Sequence, residues 1–471
     1  MGAIRKAAAV FVIVIAAAAS AEDCVTDARV LSTRQSVPNL VAGPSAWNGS
    51  ALAVAKTQEG ASGPAWLALY DENMNPLTAD RQIAADAQSL VNLIWNGTEF
   101  GFFYRTVNQG LHLLRLDAGG NPIGVPVAIT AGKLVNAGDD IDVVWSSALN
   151  AYAVGRIISQ GTFKGFWLTL VERNGAERSD RPATVTTPSK PYLDMAVTSS
   201  GVIGAFFNNA LGSLVFARAT GEGSITVRSM TEAGEYNEAT AKDGLFFVTR
   251  SAPAGGETTE IRWFVADSSQ QIVRPDAVLL EPSGDIAWPL SLIAYDEGLA
   301  LAYLDAPQRT RPNDGSYRLR RFTTSGTLIS DTLFAAADFA LGRAQSSYPI
   351  VWTGESFYSA AVQSATDRLS SYLLRYCPLQ TQILLSTPTS IVRVGTPVTF
   401  SSSTSGGVPD YQYGWIFPGE FLPKPGSSIQ WEFERTGTYD VTLRVTDFNG
   451  TVVFQTITVT VIRPKTRAVR H

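Results

Sequence analysis

The chain has very little of what most catalytic and metal sites are built from. Its 471 residues include two histidines and two cysteines. A Ser/His/Asp triad would have to use His112, which sits in a strand-like run with no nucleophile elbow, because His471 is the last residue. His112 therefore reads as a sheet-face residue. One strand histidine and two oxidisable cysteines cannot supply a zinc ligand set, and nothing points to a cofactor. A basic stripe is also missing: the formal charge is −5, which speaks against nucleic acid. Past the N-terminus no apolar run is long enough to span a bilayer.

The N-terminus reads as an export signal over residues 1–21. Arg5 and Lys6 precede an apolar stretch, Ala7 to Ala18, and Ala19, Ser20 and Ala21 form a small-x-small cleavage site before Glu22. The alternative, a membrane anchor, requires about 20 apolar residues, more than this run offers. Cleavage would remove two positive charges and no negative ones, taking the net charge from −5 to −7. The expected location is secreted, extracellular or periplasmic, with no membrane span after cleavage.

What the chain does have is repetition, with a period of roughly 50 residues. An aromatic and glycine turn before an apolar strand recurs at Trp47-Asn48-Gly49, Trp95-Asn96-Gly97, Trp145-Ser146-Ser147 and Trp352-Thr353-Gly354. Weaker copies fall at Thr198–Gly201, Lys242–Gly244 and Tyr295–Gly298. A later strand, ending in a polar turn in the first six copies, recurs as Trp66–Tyr70, Leu111–Leu116, Phe166–Val171, Leu214–Ala217, Ile261–Val265, Tyr317–Phe322 and Tyr372–Tyr376. Both signals count seven. Fifty residues hold four short strands, and such a sheet covers both faces only by stacking on its neighbours around an axis. The expected fold is all-β: a seven-bladed β-propeller over 22–378. Asn48, Asn96 and Asn449 also head Asn-x-Ser/Thr triplets, which are glycosylation acceptors or simply turns.

The seventh copy lacks an outer strand after Tyr376 and Cys377, and the missing piece lies at the N-terminus, around Arg29 to Leu31. Aligned on the first repeat, Cys24 takes the place of Pro76 and Cys377 that of Asp71, across a hairpin-sized gap. Paired strands there lie about 5 Å apart, within disulfide reach. A Cys24–Cys377 bridge is expected, the alternative being two unpaired thiols.

Residues 379–387 read as a linker, 388–463 as a second all-β unit and 464–471 as a basic tail. Period-two alternation from Gly395 to Val461 is the pattern of an immunoglobulin-like β-sandwich. Gly437-Thr438-Tyr439-Asp440-Val441-Thr442-Leu443 and Val445-Thr446-Asp447-Phe448-Asn449-Gly450 resemble the PKD (polycystic kidney disease) family over about Ile383 to Ile462. That resemblance implies an extracellular interaction or spacer module, often found beside secreted hydrolases and adhesins, with no chemistry of its own. Where the family usually has Trp-Asp-Phe-Gly-Asp-Gly, this chain has Trp415-Ile416-Phe417-Pro418-Gly419-Glu420, so no acid of that loop carries over.

Candidate binding residues fall on the long connections Ala131–Asp142, Glu281–Pro289, Asp305–Ser316 and Ala335–Tyr348. Trp288, Arg309, Arg311 and Asp314 are the aromatic and charged groups singled out as ligand-binding. Asp139, Asp140 and Asp142 form the densest acidic group, a calcium candidate or a solvated loop; their spacing is not that of an EF-hand. No catalytic residue is legible. The sequence thus points to an extracellular protein that binds a protein or glycan through one propeller face. The rival reading is a secreted carbohydrate-active or other hydrolase with carboxylates near the channel.

Overall fold

The computed structural model describes residues 27–33, 40–58, 63–106, 110–129, 140–158, 165–186, 192–232, 234, 236–255, 258–281, 285–306, 316–335, 350–365, 368–420, 422–448 and 450–463. Seven four-stranded antiparallel blades follow one another along the chain. Within each, the first strand is innermost and the fourth is outermost. The second strands are the most apolar: Ala151–Ile158, Val202–Asn208 and Gly298–Ala306 are buried at every position. Such runs, rather than alternating ones, are what a strand covered on both faces requires. Outer strands such as Glu177–Ala183 and Thr226–Glu232 are polar and largely exposed.

Ring closure is as expected. The N-terminal strand Asp27–Thr33 lies antiparallel to Arg368–Tyr376, with Arg29 opposite Leu373 and Val30 opposite Tyr372, and so completes the seventh blade. Arg29 Nη1 also donates to the Met74 carbonyl of the first blade at 2.7 Å. Between the first and second blades there is no break at all. The 15-residue strand Arg81–Trp95 pairs with Gly63–Tyr70 at its start and, past two bulges, with Phe100–Thr106 at its end. Gly43 faces that strand, where an added Cβ would sit 2.6 Å from Leu90 Cδ1.

A repeated polar bond ties second strands to outer strands. Lys56 reaches Asp80 at 2.5 Å, Arg156 reaches Asp180 at 2.7 Å, and Arg250 reaches Asp276 at 3.0 Å, in the first, third and fifth blades. In the sixth, Tyr303 takes the same place and donates to Asp331 at 2.9 Å. Each cation is buried, so removing either partner alone would strand a charge.

The C-terminal unit is a sandwich of two sheets. Gln380–Leu385, Pro397–Ser405 and Ser428–Glu432 form one; Ile391–Arg393, Val452–Ile462, Gly437–Thr446, Gln412–Ile416 and Lys424–Pro425 form the other. Trp415, fully buried, donates its indole N–H to the Gly426 carbonyl and packs with Phe400. The expected linker is mostly not one. Gln380–Leu385 is the first sandwich strand, paired with Pro397–Ser405, because its alternating side chains put Ile383 into the sandwich core. Leu379 belongs to that core, and the Gly407 amide donates to the Cys377 carbonyl at 2.7 Å. The two units also touch where buried Thr332 and Thr451 place their hydroxyl oxygens 3.3 Å apart.

Candidate functional site

The innermost strands are tied to one another by side chains that hydrogen-bond to the backbone of the next blade. Asn92 donates to the Val143 carbonyl at 2.9 Å. Asp140 and Asp142 accept from the Leu193 and Met195 amides at 2.8 and 2.7 Å. Asp194 accepts from the Ala239 amide, and Glu238 from that of Leu292. Thr240 accepts from Ala294 at 3.2 Å and Ser291 from Ile350 at 3.0 Å; at the ring closure the bond comes instead from the third strand of the seventh blade, Arg368–Tyr376, whose Ser371 accepts from Ala42 at 2.9 Å. An extended strand offers every second amide outward, so a side-chain oxygen at the right register satisfies a donor that no sheet partner reaches.

From the third blade to the fifth those oxygens are carboxylic, the Thr240 hydroxyl excepted. Asp140, Asp142 and Asp194 are half-buried and Glu238 is buried. Burial, the leading cause, pushes Asp140 and Asp142 up to about 6, with the backbone donors and, for Asp140, the Arg105 charge pulling the other way. Burial and then neighbouring carboxylates hold Asp194 and Glu238 well above the usual range. The Asp142 and Asp194 carboxyls both accept from the Met195 amide, at 2.7 and 2.9 Å, and so crowd two acids onto one donor.

A row of aromatic rings lies at the leading ends of the same inner strands. Tyr192, just before Asp194–Val197, packs on Tyr236 at 4.9 Å between centroids; Tyr236, just before Asn237–Lys242, packs on Trp288 at 5.1 Å. Tyr192 holds a left-handed backbone, φ 49°, with its carbonyl accepting from Asn237 Nδ2. All three rings are half-buried, and the Trp288 indole nitrogen has no hydrogen-bond partner among the described residues. Three blades thus contribute to one rim, on the face formed by blade-to-blade connections.

Trp288 lies near the leading end of its blade's inner strand, Ile286–Tyr295, and not on a loop. Arg309, Arg311 and Asp314, expected beside it, lie outside the described residues, as does Asp139. Asp140 and Asp142 are neither a solvated loop nor, among the described residues, part of a metal-ligand cluster. They belong to the inner strand Asp140–Ser146 and their oxygens are engaged by the fourth blade. Asp194, Glu238, Tyr192 and Tyr236 were missed by the sequence reading. His112 is a sheet residue as expected, stacked on Tyr104 with Nδ1 3.1 Å from the Gly110 carbonyl. Asn96 is no sugar acceptor in the folded chain: its amide is buried and donates to the Tyr152 hydroxyl at 2.8 Å. Cys377 is buried directly after the last blade strand, and Cys24 lies outside the described residues.

No family model matches the chain, and no curated protein does. Among solved structures it is similar to a prolyl endopeptidase, at 13% identity and TM-score 0.44, over 86% of this chain and 54% of that one. The chain thus spans about half of that protein's length. It is also similar to the WD40 β-propeller domain of Doa1, at 9% identity and TM-score 0.45, over 74% of this chain and 97% of that one. A third likeness is to AofleA from Arthrobotrys oligospora, at 12% identity and TM-score 0.42, over 64% of this chain and 87% of that one. At such distances none of them bears on activity.

Proposed function

We propose that the chain is an exported binding protein that presents the leading-end face of its propeller to an extracellular protein or glycan, with a PKD-like sandwich as spacer or second contact. The observation that carries this reading is the Tyr192–Tyr236–Trp288 row, drawn from three blades to one rim at the leading ends of their inner strands, called the mouth below. Half-exposed aromatic rings offer large contact area at little entropic cost, and they stack equally well on sugar C–H faces and on apolar side chains. The carboxyls beneath the rim spend their oxygens on blade-to-blade bonds, which leaves the rings as the contact groups. A Cys24–Cys377 bridge is part of the proposal. The position of Cys377 beyond Tyr376 and the absence of a free cysteine among the described residues support it.

The mature chain, applied to a printed glycan array and to immobilised matrix proteins, should be retained selectively. Replacing both Tyr236 and Trp288 by Ala should weaken retention by about tenfold or more, roughly 1.4 kcal/mol. Unchanged retention by that folded variant would remove the mouth from consideration. The Asp142–Asp194 pair, two carboxyls converging on the Met195 amide, favours one rival, a hydrolase using a carboxylate and a protonated acid. Turnover of p-nitrophenyl glycosides that vanishes in both Asp142→Asn and Asp194→Asn would install that rival.

A further inference from the structure

Several rings of this chain carry a cation of their own. Trp145 lies under the Arg173 guanidinium at 5.2 Å, Trp263 under Arg274 at 4.9 Å, and Tyr295 under Arg321 at 5.5 Å. Tyr236 and Trp288, half-buried at the mouth, have none among the described residues. Their faces keep the negative quadrupole that attracts a cation.

What lies behind those rings is negative as well. Side chains two apart on a strand project to the same face. Tyr236 and Glu238 both point toward the sixth blade, where one meets Trp288 and the other accepts from the Leu292 amide. Tyr192 and Asp194 likewise point toward the fifth, meeting Tyr236 and the Ala239 amide. Each carboxyl thus stands about two residue rises, roughly 7 Å, inward of a ring. Asp140 joins them by accepting from the amide of Leu193, the residue after Tyr192, at 2.8 Å. These acids act on one another across three blades: Asp140 and Asp142 raise Glu238, and Glu238 and Asp142 raise Asp194. Arg105 offsets part of this at Asp140. Oxygens committed to backbone amides need not touch a ligand to act on it, because their field reaches the mouth through low-dielectric protein.

Rings and field together select the ligand. A neutral sugar would use the rings and gain nothing from the acids, and an acidic one would be repelled. A cation gains from both, and a lysine or arginine also lays its apolar stem against the rings. From these observations we infer that the mouth takes a basic side chain, lysine or arginine, presented by an extracellular protein partner and seated against Tyr236 and Trp288. This inference rests on the reading of the mouth as the binding face and narrows the partner to a protein with a cationic surface.

The test is titration of the full mature chain with acetyl-Gly-Lys-Gly-amide and its arginine and glutamine counterparts, by saturation-transfer NMR and calorimetry. It is run at about pH 8, where Asp140 and Asp142, at about 6, are charged. At least one basic peptide should bind about tenfold or more tightly than the glutamine peptide, and added salt should weaken it. Asp140→Asn with Asp142→Asn removes two charges, leaves acceptors for the Leu193 and Met195 amides, and should lower that affinity about fivefold or more. Tyr236→Ala with Trp288→Ala should lower it about tenfold or more. Glu172→Gln with Glu222→Gln removes two charges from solvent-facing turns at the other end of the third and fourth blades, and should leave it unchanged. Equal binding of basic and glutamine peptides, binding that survives either mouth variant, or an equal loss in the distant variant overturns the inference. If no basic peptide binds while glycan or matrix-protein retention still depends on Tyr236 and Trp288, the cationic ligand falls and the mouth stands. If retention is also indifferent to those rings, both fall.

Discussion

Two arcs of one ring join their inner strands with different side chains. From the third blade to the sixth the bridging oxygens belong mainly to Asp140, Asp142, Asp194 and Glu238; from the sixth to the seventh the oxygen is that of Ser291, and at the closure Ser371, on the seventh blade's third strand, bonds to the inner strand of the first. The bonds are equivalent in geometry, so hydroxyls suffice to hold a blade. The acids must therefore cost something that serines do not, namely the desolvation of charge. A position where a cheaper residue would do the structural work, yet a carboxyl sits, is where pH-dependent behaviour is concentrated.

The largest expected effect falls on the neutral arc, at the closure. Changing both Cys24 and Cys377 to Ser should lower the melting temperature of the ring. The chain-entropy limit for so long a loop is on the order of 5 kcal/mol, an upper figure. Because Thr332 meets Thr451 and Cys377 meets Gly407, the sandwich should lose part of its stability with the ring. Separate, unshifted unfolding of the sandwich in the double variant would show those contacts to be idle.

The acidic arc should respond to pH in a direction fixed by its raised carboxyls. A group that holds its proton more tightly when folded contributes stability that is full below its unfolded value, near 4, and is lost as pH rises through the folded value, here about 6 for Asp140 and Asp142. Urea unfolding of the full chain should therefore show a component, amounting to a few kcal/mol, that weakens between about pH 4 and 7. Asp194→Asn should flatten it. A slope undiminished in that variant would mean that the acids titrate independently of one another.

Asp194→Ala should destabilise by about 1–3 kcal/mol, since the Ala239 amide loses its acceptor. Ser291→Ala should cost about 1 kcal/mol through the Ile350 amide, and equally at pH 5 and pH 8. If the serine variant were the pH-sensitive one, the contrast between the arcs would be false.

Much of the fold could be read in the sequence because it is periodic. Turns such as Trp47-Asn48-Gly49 and the apolar second strands recur, and the outer strand missing after Tyr376 pointed to Arg29–Leu31. The acids were harder. Three aspartates near Gly138 read as a polar loop, although Asp140-Ile141-Asp142-Val143 alternates with a strand's period. Asp194 and Glu238 gave no signal, because their role appears only when one blade's side chain is set against the next blade's amide. Trp288 fell on the long connection Glu281–Pro289 in the sequence; in the structure it is in a strand that tolerates Pro289 at a bulge between Pro289 and Ser291. Gln380–Leu385 was read as linker because Pro378 precedes it, although Ile383 alone already faces the sandwich core.

The unbroken strand Arg81–Trp95 has a mechanical consequence. Among the described residues no other strand belongs to two blades. Here the outer edge of the first blade and the inner edge of the second are one extended segment, with nothing between them to pay out. Under tension applied through the two termini, the first two blades should yield as a single unit, releasing about twice the contour length of one blade in one step.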